Sequence, residues 1–149
     1  MPAADFNAMA RPLVFAFAAV FLFAIPASAG GPREAGCDNV KTTIEGIECR
    51  TKQMQTADDR LQRYLQAATL RAEQLGLDPK ALITEQVLWR HYRDQHCGNV
   101  YRSWGGGTIR HDMSAQCLLR LTRMRTYEIW AAYLTFMDST PPVLPDPSR

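Results

Sequence analysis

Residues 86–97 read QVLWRHYRDQHC. Gln86, Trp89, Arg93 and Cys97 recur at spacings of three and four, so on a helix they fall on one stripe. That stripe sets a cation beside an aromatic ring and ends on a cysteine. Gly105, Gly106 and Gly107 follow, then Cys117 and Thr122-x-x-Arg125. No nucleophile, metal cage or phosphate loop can be read from these residues. They read as architecture: a helix, a glycine-rich connection and a second helix, joined by a disulfide.

Working outward, a helix is predicted over residues 43–75. Ile47, Met54, Leu61, Leu65, Ala68, Ala72 and Leu75 form its apolar stripe, with Tyr64 beside it. Gly76 ends this helix, since glycine takes the left-handed conformation without steric cost. Asp78 as N-cap and Pro79 in the first turn start the next one. Ile83, Val87 and Leu88 widen its stripe, and Gly98 and Asn99 are expected to stop it. The short 76–77 link makes these two helices antiparallel neighbours. Residues 99–112 are then expected to be the main loop, with Asp112 or Ser114 capping a third helix. Its buried side is predicted to hold Cys117, Leu118, Leu121, Met124, Arg125, Ile129, Ala132, Tyr133 and Phe136. The fold class is all-α: a small antiparallel three-helix bundle stapled by two disulfides, spanning residues 30–139. Four prolines in the last nine residues exclude further helix, and 140–149 is expected to be a disordered tail.

The N-terminal thirty residues read as an address. Residues 13–25, LVFAFAAVFLFAI, have the length of a signal h-region and are short for a membrane span. Pro26 and the Ala27-Ser28-Ala29 site follow, predicting a signal peptide over 1–29 and cleavage between Ala29 and Gly30. Ala35-Gly36-Cys37 matches the end of a lipobox, but Glu34 stands where an apolar residue belongs, so Cys37 is assigned to a disulfide. The mature chain is therefore expected in the periplasm or secreted, with no stable membrane insertion.

Cys37, Cys49, Cys97 and Cys117 all lie in the mature part, an even count that suits two disulfides in an exported domain. All four gather at one end of the predicted bundle, so geometry leaves the three connectivities open. Cys37–Cys49 and Cys97–Cys117 are the expected pairs because each closes a short local loop. The net charge of +2 is too small to argue for nucleic acid as a partner.

Arg93 and Arg125 sit on apolar stripes, where a lone charge costs several kcal/mol unless it is paired. They are expected to be structural, paired with Asp58, Asp94 or Glu45; an anion pocket is the competing reading. Trp89 and Tyr92 are expected in the core. Trp104 sits in the glycine loop, where a large apolar side chain must be covered or used. With Arg110 and His111 it forms the candidate binding loop. His91 and His96 are five residues apart, a poor fit to one helical face, so no metal is assigned. Ser103, Thr108 and Ser114 have no visible base and orienter. No catalytic residue and no cofactor is assigned, and the chain is not expected to be an enzyme.

Cys37 with Glu45-x-x-x-Cys49, Gln86-x-x-Trp89-x-x-x-Arg93-Asp94-x-x-Cys97, the glycine loop and Cys117-x-x-x-x-Thr122-x-x-Arg125 together resemble the lysozyme-inhibitor LprI-like family. The resemblance runs from Cys37 to Ile129. Asp58 and Leu61 fit the family pattern; Leu65 stands where the family has a tyrosine, and Tyr64 falls one residue early. The resemblance implies an exported, all-helical bacterial domain and makes lysozyme or another envelope protein the expected partner. An inhibitor would insert the 104–111 loop into the carboxylate-lined cleft of the enzyme. The alternative is a structural or accessory periplasmic protein with no inhibitory activity.

Overall fold

The computed structural model describes residues 36–37 and 39–148; the expected signal peptide, 1–29, lies outside the described residues. Three helices form: α1 (Thr43–Gln74), α2 (Pro79–Ser103) and α3 (Ile109–Tyr133), with no strand among the described residues.

Each boundary has a local cause. Thr42 caps α1, its hydroxyl accepting from the Glu45 amide at 3.2 Å. The Glu45 carboxylate turns back to accept from the Lys41 amide at 2.8 Å. Glu45 therefore serves the cap and is not the arginine partner expected of it. At the other end Gly76 takes φ 71°. The Leu77 amide then reaches Ala72 O at 2.9 Å and the Gly76 amide reaches Glu73 O at 3.0 Å, which closes the helix in a Schellman turn. Asp78 accepts from the Lys80 amide at 3.0 Å and starts α2, with Pro79 in the first turn.

Two boundaries differ from expectation. α2 continues through Gly98 and Asn99 to Ser103, and α3 already starts at Ile109. The predicted 99–112 loop shrinks to 104–108. One glycine costs a helix about 1 kcal/mol, too little to stop a turn that is anchored on both sides. Here Cys97 is tied to α3, and Arg102 and Ser103 bond back to Asn99 and to the Val100 carbonyl.

The bundle runs up, down and up. Arg50 of α1 pairs with Asp112 of α3 at the lower pole, where α1 and α3 begin and α2 ends. Leu61, Tyr64 and Ala68 meet Ile129 and Leu134 near the upper pole, so α1 and α3 are parallel. α2 descends against α3, matching Leu82 to Ile129 above and Cys97 to Cys117 below. α1 and α2 each lean mainly on α3 and touch each other far less. α3 is thus buried on two sides, by Leu119, Thr122 and Thr126 as well as by Cys117, Leu121, Arg125 and Ile129. Met124 and Phe136, expected inside, are exposed. So are Ile83, Val87, Leu88 and Tyr92 on α2 and Ile47 and Leu75 on α1, because neither helix is covered on its outer flanks.

Both expected disulfides are present, with Cα atoms 5.9 Å apart for Cys37–Cys49 and 5.6 Å for Cys97–Cys117. The Cys37 sulfur is therefore committed. Ser114 donates to Cys97 O at 3.2 Å and ties α3 to α2 a second time.

The proline-rich segment departs from the expected disorder. Val143 donates to Leu134 O at 2.9 Å, turning the chain back down the flank between α3 and α1. Trp130 Nε1 donates to Leu144 O at 2.9 Å, Tyr64 OH to Pro145 O at 2.6 Å and Arg60 Nη1 to Pro147 O at 3.2 Å. Prolines cannot extend a helix, but their carbonyls remain acceptors, and this flank supplies donors for them. Burial holds the Tyr64 phenol above its ordinary value of 10.0, against the opposing pull of Arg60 and Arg63.

Candidate functional site

The sequence-predicted residues separate into two groups. Trp89, Arg93, Asp94 and Arg125 lie at the waist of the bundle; Trp104, Arg110 and His111 lie at its lower pole.

At the waist, Arg93 joins all three helices. Its Nη1 donates to Asp58 on α1 and to Thr122 on α3, both at 3.1 Å, while Nε donates to Asp94 at 2.9 Å. Two turns up α2, buried Gln86 accepts from Arg125 Nε at 3.1 Å. Arg125 completes its charge balance with Glu85 at 2.9 Å and Glu128 at 3.6 Å. Asp58 and Asp94 thus take Arg93 as expected, whereas Arg125 uses two acids that the sequence reading did not name. The Trp89 ring lies between the two cations, 5.1 Å from Arg93 Cζ and 6.0 Å from Arg125 Cζ. It also touches both clusters of the apolar core. Both guanidiniums are paired with carboxylates and bonded to side chains of neighbouring helices, so this group holds helices together.

The lower pole is different. Trp104 caps α2 and is 47% exposed, and Gly105 at φ 65° reverses the chain. Arg110 folds back onto this turn: Nη1 donates to Gly105 O at 3.2 Å, and Cζ stands 4.7 Å from the Tyr101 ring. His111 meets the same ring edge-on at 5.1 Å. Tyr101, which the sequence reading passed over, is therefore the post on which the turn is braced.

Beside the turn opens a groove of about 850 Å³ lined by Val40, Ile47, Arg50, Met54, Ile109 and Asp112, among others. Ile47 and Ile109 are half-exposed in it, and the Arg50–Asp112 ion pair spans α1 and α3. The sequence reading put Ile47 and Met54 on the buried stripe. Burial of that stripe begins only at Ala57, and the clue was the apolar pair Ile44 and Ile47 in the first turns of α1.

Ser103 and Ser114 donate to helix carbonyls. Among the described residues no three His, Cys, Asp or Glu side chains gather as a metal site would require, and no helix is long and apolar enough to cross a membrane.

The described residues thus form a small helical scaffold with an ion-paired waist, two local disulfides and a braced aromatic turn beside an apolar groove. The chain is a member of the Lysozyme inhibitor LprI family, whose model matches residues 35–129. At the level of the family, lysozyme is the partner and inhibition the activity. No curated protein and no solved structure matches the chain.

Proposed function

We propose that this chain is an exported binding module that inhibits lysozyme through its lower pole. The observation that carries the reading is Trp104, a large aromatic left half-exposed on a turn that Arg110, Tyr101 and the Cys97–Cys117 disulfide brace. An aromatic presented without much freedom to lose is the kind of anchor that dominates interfaces. The groove beside it, with Ile47 and Ile109 exposed, extends the apolar contact. Arg110 is spent on holding the turn, so in this reading Trp104 enters the enzyme cleft and Arg110 positions it. Export follows from the signal-like segment 1–29, with the mature chain starting at Gly30 and acting in the periplasm or outside the cell.

The test is a lytic assay on cell-wall suspensions with purified, oxidised 30–149. Lysis should fall in a saturable way at micromolar inhibitor. Unchanged lysis at a large molar excess would leave the accessory-protein reading in its place. Mass spectrometry of the exported chain checks the N-terminus at Gly30; retention of 1–29 would refute processing.

A further inference from the structure

The flank between α1 and α3 binds an extended chain by its backbone. Arg60 and Tyr64 stand one turn apart on α1 and Trp130 faces them from α3; their donors meet the carbonyls of Pro147, Pro145 and Leu144 in that order. Leu144 packs against the upper core, beside Tyr64 and Trp130. The segment is suited to this. Pro145 and Pro147 favour an extended chain and have no amide to leave unsatisfied, while every residue still offers a carbonyl. Aromatic donors lining a groove and reading the carbonyls of a proline-containing strand are a recurrent mode of peptide recognition. None of the three contacts to Leu144, Pro145 and Pro147 depends on the linker 135–142 that ties the segment to α3.

We propose that this flank is a binding site for extended proline-containing peptides of the Leu-Pro-x-Pro type, held shut by the chain's own residues 143–147. The occupant from outside is a segment of another polypeptide with the same backbone chemistry. The tether gives the resident segment a local concentration in the millimolar range, so a free peptide competes poorly until the tail is weakened. The site lies on the flank and does not share residues with the lower pole, so it neither requires nor excludes lysozyme binding.

The probe is the octapeptide Pro-Pro-Val-Leu-Pro-Asp-Pro-Ser, acetylated and amidated, titrated into the full 30–149 chain and followed by the indole N–H resonance of Trp130. In the tail variant Leu144→Asp/Pro145→Gly the peptide should bind roughly tenfold or more tighter than in the wild type, where the tether competes. Tyr64→Phe in that background should weaken binding several-fold, and a peptide with both Pro145 and Pro147 equivalents replaced by alanine should bind poorly. A folded tail variant whose Trp130 resonance ignores millimolar peptide would overturn the proposal. If the tail variant does not fold, amide exchange in the wild type decides. The Val143 amide should exchange by a local opening that spares the amides around Leu61. Exchange of Val143 only together with those core amides means that the tail never leaves, and the proposal fails.

Discussion

The Arg93 guanidinium meets the Asp58 carboxylate at 3.1 Å, bridging α2 and α1, the two helices that otherwise lean on α3. The partners are unequally placed: the Arg93 side chain is 13% exposed and that of Asp58 is 48%. Removing the arginine also strips Thr122 of its donor and Trp89 of a cation. Arg93→Ala should cost about 2 kcal/mol, while Asp58→Asn, whose loss water can repair, should cost under about 1 kcal/mol. Urea midpoints measure both, and equal costs would contradict the three-helix role of Arg93.

Arg125→Ala is expected to be worse. Arg125 is buried and its Nε holds the buried Gln86 amide, so truncation leaves an unpaired polar group and a void of side-chain size. The cost should be about 3 kcal/mol. Glu85→Gln and Glu128→Gln, at half-exposed partners, should each cost under about 1 kcal/mol. Thermal melts that rank the acids above the arginine would reject this assignment.

Alkaline pH should loosen the tail through Tyr64. Its neutral phenol donates to Pro145 O, and burial raises its pKa above 10.0. A raised folded-state value means that this contribution is complete below pH 10 and is lost as pH rises through the folded pKa. Tyr64→Phe should be less stable than wild type at pH 8, and the gap should close at higher pH. A gap that stays constant across this range would show that the hydroxyl is not the linked group.

Each disulfide should stabilise by about 3 kcal/mol on the chain-entropy model. Cys97→Ser/Cys117→Ser should lower the melting temperature and also free the 104–108 turn, since Cys97 and Cys117 flank it. Turn amides that keep their wild-type exchange rates in this variant would argue that Arg110 and Tyr101 suffice.

If the lower pole contacts lysozyme, Trp104→Ala should weaken inhibition about tenfold, or 1.4 kcal/mol, and leave the melting temperature almost unchanged. Arg110→Ala should weaken inhibition less, by loosening the turn. A Trp104→Ala variant that inhibits as well as wild type would move the contact elsewhere.

The helices and both disulfides were legible because each rests on local signals: stripe spacing, Asp78-Pro79, Gly76 and short cysteine loops. What escaped was set by packing partners. Ile47 and Tyr92 carry apolar surface that no neighbouring helix covers, and a stripe alone does not say how far a neighbour reaches. Thr122 and Thr126 are polar by type yet buried, because α3 is covered on two sides. Gly98 reads as a terminator until the Cys97–Cys117 staple is seen to carry α2 past it. The order of residues 143–147 depends on Trp130, Tyr64 and Arg60, the last two 81 and 87 positions from their partners, which no local reading of prolines supplies.

The tail has a practical corollary for attachment chemistry. Pro147 is held at Arg60, midway along α1, so anything joined after the last residues departs from the side of the molecule. Cys37 is bonded to Cys49, and Val40 and Lys41, just after it in sequence, line the groove, so the chain enters α1 at the pole that carries the groove. Immobilisation through the C-terminus therefore leaves the Trp104 pole facing solution, whereas an N-terminal tether crowds the surface that would meet an enzyme.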